Sequence, residues 1–389
     1  MTSVAAIGLL VLGIAAMFLR PFSVPVWVGP VVAAAVGLAT RVILWSDASD
    51  ALHLLTKPLL FLVFAVPLAV VLDRIGVFAA LAASVDGGDR VVAGLWWLAA
   101  AVTVVFNLDA AVVLLTPLYI RIARRHGYSP EMLAFQPALL ACLASNPLPV
   151  SNLTNLIAAE HFDLGVGEFL DHMLLPTIAA CLVGWLAFRR TFASDRSGHP
   201  SVDDVVDTAA LRRGLPIVAF VLVGFTVGAA LGVPEWVVAA IALAWAAVLA
   251  STLPVRAVPY EAILVAAGLA VLVAGASLHL HLASWFDAGG LAGRFRALTF
   301  GVVGSDVSNN LPAVLAALPA LHERSQVWPL LIGSNIGPAL VISGALSGLL
   351  WRDTAGALGV SVSGRRYAAI GLRVGLPALI AASAVVLLL

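Results

Sequence analysis

Two carboxylates of the chain stand in unusual company. Asp109 follows Asn107-Leu108 and opens an apolar run that closes on Thr116-Pro117. Asp306 lies in Ser305-Asp306-Val307-Ser308-Asn309-Asn310, just before Leu311-Pro312. At membrane depth a carboxylate costs at least about 2.5–3.5 kcal/mol, so it is protonated, paired or functional. Each acid is a candidate proton carrier; Asp306 also reads as an interfacial cap at a Ser-rich turn. Two more polar clusters interrupt apolar sequence. One is Ser145-Asn146-Pro147-Leu148-Pro149-Val150-Ser151-Asn152, continued by Thr154 and Asn155; the other is Ser334-Asn335-Ile336-Gly337-Pro338, with Ser343 beyond it. Proline removes backbone donors and frees carbonyls, and Gly337 permits a bend that larger residues resist. Asn107, Asn152, Thr154, Asn155, Asn309 and Asn310 offer neutral donors and acceptors, which suit a hydroxylated solute better than a strong cation. The plain alternative is a set of proline kinks capped by Ser and Asn. Four interruptions in matched positions argue instead for one shared cavity.

The elements that must carry these clusters follow from composition. Of 389 residues, 62% are hydrophobic and 11% charged, and the mean hydropathy is +1.06. Soluble domains are about 45–50% apolar and about 25% charged, so this chain needs an apolar solvent. A crossing helix takes roughly 20 apolar residues, and such runs recur throughout. Spans are expected at about 4–19, 24–44 and 57–72, then a polar-interrupted pair at 91–125, a broken span at 132–158 and a span at 170–188. The order repeats: 214–231, 236–251 and 260–281, an interrupted pair at 294–321, a broken span at 327–351, and a last span at 367–389. Residues 1–19 lack the positive n-region of a signal peptide, because Arg20 follows the apolar run, and they read as a span.

The repeated order predicts an all-α polytopic membrane protein, an inverted repeat of five transmembrane helices plus one re-entrant hairpin in each half. That makes about 10 transmembrane helices and 2 hairpins, with broken helices at the site. Residues 1–190 form the first repeat, 191–213 a cytoplasmic linker and 214–389 the second repeat. Interrupted helices in matched halves mark the binding site of a secondary transporter. With the linker cytoplasmic, fifteen arginines fall on the inner side, against Arg41, Lys57, Arg294, Arg296 and Arg324 outside. This obeys the positive-inside rule and puts both termini outside. The acidic loop around Glu160, Asp163 and Glu168 is then external.

Other features point to packing or to nothing. Arg373 reads as a snorkelling residue near the start of the last span, and Gly224, Gly228 and Gly232 as a helix-packing face. Cys142 and Cys181 lie in apolar runs and make neither a disulfide framework nor a metal site. Cys142 lies close to the first break, where a thiol could hold a trivalent metalloid, although packing is the commoner role. His126 and His199 fall in loops, as does Gly87-Gly88-Asp89. His322-Glu323-Arg324-Ser325-Gln326 lacks the second histidine of a zinc protease, and no GxxxxGK[ST] loop is present. No enzyme, cofactor or metal centre is expected, and zero net charge argues against a nucleic-acid partner.

Four pieces carry a resemblance: Asn107 to Pro117, Ser151-Asn152-Leu153-Thr154-Asn155, Asn309-Asn310-Leu311-Pro312, and Ser334-Asn335-Ile336-Gly337-Pro338 running on to Gly344 and Leu349-Leu350-Trp351-Arg352. On these the chain resembles the arsenite permease family of the ion-transporter superfamily over nearly its whole length. The resemblance implies efflux of arsenite or antimonite across the cytoplasmic membrane, driven by the proton-motive force, in some members with a separate soluble arsenite-stimulated ATPase subunit. More distant relatives carry dicarboxylates, citrate, sulfate or sodium, and they imply hairpins and elevator-like motion in a homodimer. Leu108, Ala339 and Val341 depart from residues common in that family.

Overall fold

The computed structural model describes residues 2–20, 24–84, 89–193, 206–228, 231–252, 254–277 and 279–389. These residues are helical with irregular connections, and no strand occurs among them. Residues 194–205 of the expected linker, with His199, and the Gly87-Gly88 pair lie outside the described residues.

The first half contains α1 (Thr2–Leu19), α2 (Val28–Ala39), α3 (Trp45–Ile75), α4 (Val77–Ala83), α5 (Asp89–Phe106), α6 (Leu108–His126), α7 (Pro130–Leu143), α8 (Leu153–Phe162) and α9 (Val166–Thr191). The second contains α10 (Thr208–Val223), α11 (Glu235–Ala250), α12 (Tyr260–Ser277), α13 (Ala283–Phe286), α14 (Gly290–Ser308), α15 (Asn310–Ala317), α16 (Val327–Ile336), α17 (Leu346–Ala357), α18 (Gly364–Ile370) and α19 (Leu376–Leu388). A π turn, Gly371–Gly375, joins α18 to α19. Among the described residues five helices are long and apolar enough to cross a membrane: Trp45–Ile75, Val166–Thr191, Thr208–Gly228, Tyr260–Ser277 and the composite Gly364–Leu388. Shorter apolar helices include Ser3–Leu19, Arg90–Phe106 and Pro130–Leu143.

Local chemistry sets the boundaries. α3 begins twelve residues before the expected span at 57, because the polar stretch Ser46–Thr56 continues the helix outward. It stops at Gly76, whose φ of 92° only glycine adopts without strain. Ser129 accepts from the Met132 N–H and Pro130 fills the first turn of α7. α10 already begins at Thr208, capped by Asp207, so the end of the expected linker is helix.

The surface of α9 shows what solvent the protein needs. Leu175, Leu182 and Leu186 are 55%, 47% and 50% exposed and share one face of the helix. A leucine stripe of this kind is stable against lipid and is a liability in water.

The helices pack in two groups, each drawn from both halves of the chain. In one, α1 and α2 pack on each other and on α12, α3 on α11 and α12, and α10 on α4 and α11. In the other, α5, α6 and α7 pack together, α9 lies along α19, α14 along α16, and α17 against α6 and α7. The α14–α16 approach is close: a Cβ on Gly301 would stand 2.4 Å from the Leu330 carbonyl, and one on Gly333 2.4 Å from that of Leu298. α3 meets α6 and α8, and α12 meets α15, along the seam between the groups.

Polar links at the helix ends sort the loops into two sets. Lys57 pairs with Glu160 at 2.8 Å, Arg324 with Glu168 at 2.9 Å, and Arg294 donates to the Val386 carbonyl. Arg20 pairs with Asp353 at 2.9 Å, Arg366 with Glu131 at 2.7 Å, and Arg124 donates to the Leu358 carbonyl. Each link joins two segments that the arginine count assigns to the same face.

Candidate functional site at four converging helix starts

The two interrupted pairs turn at asparagine. Asn107 has φ 86° and ψ 151°, and Asn309 has φ 89° and ψ 149°. Non-glycine residues rarely occupy this region, which costs of order 1–3 kcal/mol. Each asparagine caps the helix it precedes, with Asn107 Oδ1 accepting from the Asp109 N–H at 2.9 Å and Asn309 Oδ1 from the Leu311 N–H at 3.3 Å. In both pairs the chain lies back on itself. Tyr119 donates to the Leu95 carbonyl, the two residues being equally far from Asn107. A Cβ on Gly304 would meet that of Ala313 at 3.1 Å across Asn309.

The breaks have a different chemistry. Between α7 and α8, Pro147 and Pro149 leave carbonyls without helical donors, and Asn155 recovers them. Its Nδ2 donates to the carbonyls of Ser145, Asn146 and Leu148 at 3.0, 3.3 and 3.1 Å. Asn152 then caps α8 by accepting from the Thr154 N–H at 3.2 Å. Between α16 and α17 the chain makes a 3-10 turn, Gly337–Ala339, and restarts at Ala345, which has no side-chain cap.

Asn335 ties the halves together. Its Oδ1 accepts from Asn152 at 3.0 Å and Thr154 at 2.8 Å; its Nδ2 donates to Asn146 Oδ1 at 3.1 Å and Asn155 Oδ1 at 2.8 Å. These five residues are essentially inaccessible to solvent. All four hydrogen-bonding positions of the Asn335 amide are used. Asn146, Asn155 and Asn335 therefore hold the backbone in place, leaving little capacity for a solute in this conformation.

A small enclosed space lies beside this network. A cavity of about 30 Å³ is lined by Leu108 and Asp109 of α6, Asn152 to Thr154 at the start of α8, Asn309 to Leu311 at the start of α15, and Ala345 and Leu346 at the start of α17. Ala262 and Val265 of α12 close it. It has room for about two waters. Four helix N-termini thus face one point, each carrying a partial positive charge of roughly half a unit. Asp109 is the one charged residue of the lining, and no lysine or arginine joins it among the described residues.

Asp109 also lines a second cavity, of about 190 Å³, otherwise apolar except for Glu261 and Tyr260 at the start of α12. A wider basin of about 640 Å³ lies at the other end of α8, bordered by Lys57, Glu160, Asp163 and Glu235. α8 runs from the central cavity to the basin, whereas α17, with Leu346 and Leu350 on the second cavity, runs away to the opposite side.

The remaining candidates are placed around this centre. Ser151 donates to the Val104 carbonyl at 2.8 Å and braces the first break on α5. Ser145 and Ser334 donate to the carbonyls of Cys142 and Leu331, within their own chain turns. Ser308 returns its hydroxyl to the Gly304 carbonyl at 2.7 Å. Asn309 Nδ2 donates to the Ser343 carbonyl at 3.3 Å and the Asn310 N–H to that of Gly344 at 2.8 Å, pinning this tip to the second break. Gly337 passes so close to α14 that a Cβ there would meet the Ser305 hydroxyl at 2.9 Å. Asp306 lies outside the lining of the central cavity; its Oδ1 is buried without a partner and stands beside Gly344. Asn107 Nδ2 is likewise buried and unpartnered. Ala339 packs against Gly371 and Gly375 of the π turn and so faces away from the cavity. Glu261 escaped the sequence reading, because an acid at the start of an apolar span looks like an ordinary interfacial residue.

A family model described as "Citrate transporter" matches residues 1–342. The chain is 29% identical over 388 residues to an arsenical pump membrane protein of Yersinia enterocolitica, covering 90% of each. It is 28% identical over 349 residues to the arsenical pump membrane protein of Escherichia coli strain K12, covering 80% of this chain and 81% of the relative. A further Escherichia coli protein of that name is 27% identical over 387 residues, covering 89% of each.

Proposed function

The chain belongs to the citrate transporter family, and from that premise we propose that it is a secondary transporter exporting arsenite or antimonite in exchange for protons. One observation carries the choice of solute: four helix N-termini converge on a cavity whose only charged side chain among the described residues is Asp109. The N-termini favour electron-rich oxygen. Asp109 already supplies a negative charge there, so a second anion would be repelled while the carboxylate is ionised. A neutral trihydroxide of arsenic or antimony offers oxygens to the N–H groups and hydroxyl protons to Asp109. The relatives named arsenical pump membrane protein support the same solute.

Asp109 stands between the central cavity and the apolar cavity that it shares with Glu261. In this reading it takes a proton from the outer side when solute leaves and gives it up when solute binds from the cytoplasm, and the cavity it shares with Glu261 is the route by which that proton leaves. The matched conformations of Asn107 and Asn309 support two inverted repeats whose folded-back pairs are re-entrant hairpins, within the cytoplasmic membrane. No phosphate loop is present, so an ATP-driven mode requires a separate soluble subunit.

A second reading, an anion or sodium-coupled transporter of the same fold, draws on the same four N-termini. With Asp109 protonated, the cavity becomes net positive and suits a carboxylate, in line with the description of the matching family. Everted membrane vesicles separate the two. Arsenite accumulation that needs an acid-inside gradient, with no accumulation of citrate or sulfate, is expected. Citrate accumulation without arsenite accumulation would establish the second reading instead.

A further inference from the structure

Arg190 and Arg373 line one groove of about 500 Å³ between the end of α9 and the π turn before α19, together with Thr191, Leu186 and Pro377. Both side chains are exposed. Neither has a hydrogen bond or ion pair among the described residues, whereas Arg20, Arg324 and Arg366 are all paired with carboxylates. Arg373 is the more unusual. It lies nine residues into the composite helix Gly364–Leu388, about 14 Å along its axis, where a bare guanidinium is poorly solvated. The groove is flanked by leucines and isoleucine facing outward: Leu182, Leu186, Leu372 and Ile380 are 47%, 50%, 56% and 60% exposed. Two planar cations without a partner among the described residues, set beside an apolar margin, fit a phosphodiester above acyl chains.

We propose that the Arg190–Arg373 groove is a binding site for an anionic phospholipid, its phosphodiester held between the two guanidinium groups and its chains along the leucine faces of α9 and the last helix. The charge accounts for the headgroup, and the depth of Arg373 accounts for a lipid rather than a water-soluble phosphate. The site is attached to the transport centre through the π turn. Gly371 and Gly375 press on Ala339 of the second break, a Cβ on Gly371 falling 2.2 Å from the Ala339 carbonyl. Arg373 leaves the same turn on its outer side.

The test is lipid retention by the purified full chain in nanodiscs or detergent, read by native mass spectrometry with phosphatidylglycerol and phosphatidylcholine supplied equally. Phosphatidylglycerol should be retained in preference. Arg190→Gln and Arg373→Gln should each lower its occupancy about fivefold, and Arg212→Gln, an exposed arginine on α10 away from the groove, should not. Both arginines are unpaired among the described residues, so the variants should fold, and unchanged melting in phosphatidylcholine checks this. Equal retention of the two lipids, or full phosphatidylglycerol retention by the double variant, overturns the proposal. Displacement by millimolar inorganic phosphate would assign the groove to a soluble anion and overturn the lipid as occupant.

Discussion

Asn107 and Asn309 hold a backbone conformation that glycine would hold with less strain, so their side chains must be needed. Both cap a helix through Oδ1. They differ at Nδ2, which Asn309 commits to the Ser343 carbonyl and Asn107 keeps buried without a partner. Asn107→Gly relaxes the backbone and loses the cap, so stability should change by less than about 1 kcal/mol. Asn107→Ala loses the cap and keeps the strain, so it should cost the cap alone, about 0.5–2 kcal/mol. Thermal melting of the three proteins gives that order, and solute flux in the glycine variant shows what the free amide contributes; normal flux would mean that Asn107 serves the turn alone. Asp109 makes a sharper case. Asp109→Asn keeps size and hydrogen-bonding capacity but cannot titrate, and Asp109 has no ion pair to lose among the described residues, so folding should survive. Gradient-driven arsenite accumulation should vanish, while exchange of labelled for unlabelled solute continues. Accumulation and pH dependence like those of the wild type would make Asp109 a structural acid.

Asn335 shows how one helix end can be secured by residues from the other half of the chain. Asn335→Ala leaves two donors and two acceptors buried without their partner. Interhelical hydrogen bonds in membranes average about 0.6 kcal/mol, so four of them and the unpaired groups predict a loss of about 2–3 kcal/mol. Denaturant unfolding in mixed micelles measures this, and a loss below about 1 kcal/mol would show that the neighbours find new partners. The interruptions themselves were legible in the sequence, because proline, glycine and clustered Ser and Asn act on the nearest backbone whatever surrounds them. The role of Asn335 was not. Ser145-Asn146 and Ser334-Asn335 look equivalent as dipeptides, yet Asn146 lies in the irregular break after α7 and Asn335 in the last turn of α16. Its four partners lie in or beside the α7–α8 break of the first half, a pairing that only tertiary packing creates. The cavity position of Glu261 was hidden for the same reason, whereas the outward start of α3 is local, a polar stretch that continues the helix.

Across the whole molecule, the central cavity lies where α8 and α17 begin, and the two helices leave it toward different cavities. A transporter needs two routes that are not open together, and the small volume between them, about 30 Å³, suits an occluded state. Ion pairs cross the seam between the packing groups on both sides: Lys57–Glu160 beside the basin, and Arg20–Asp353 near the far end of α17. The arginine asymmetry assigns the basin to the outer face and Asp353 to the cytoplasmic face. Two glycines allow this to be tested with little disturbance, since a Cβ at Gly167 or Gly356 meets nothing within 4 Å. Cys142 and Cys181 are buried and should stay silent toward a charged maleimide. In intact cells, or in spheroplasts if an outer membrane blocks the reagent, Gly167→Cys should be labelled and Gly356→Cys protected. In everted vesicles the pattern should reverse. Both positions labelled from one side would break the inverted five-plus-five arrangement. A reversed pattern would keep it but turn the molecule over, leaving fifteen of its basic residues on the outer face against the positive-inside rule.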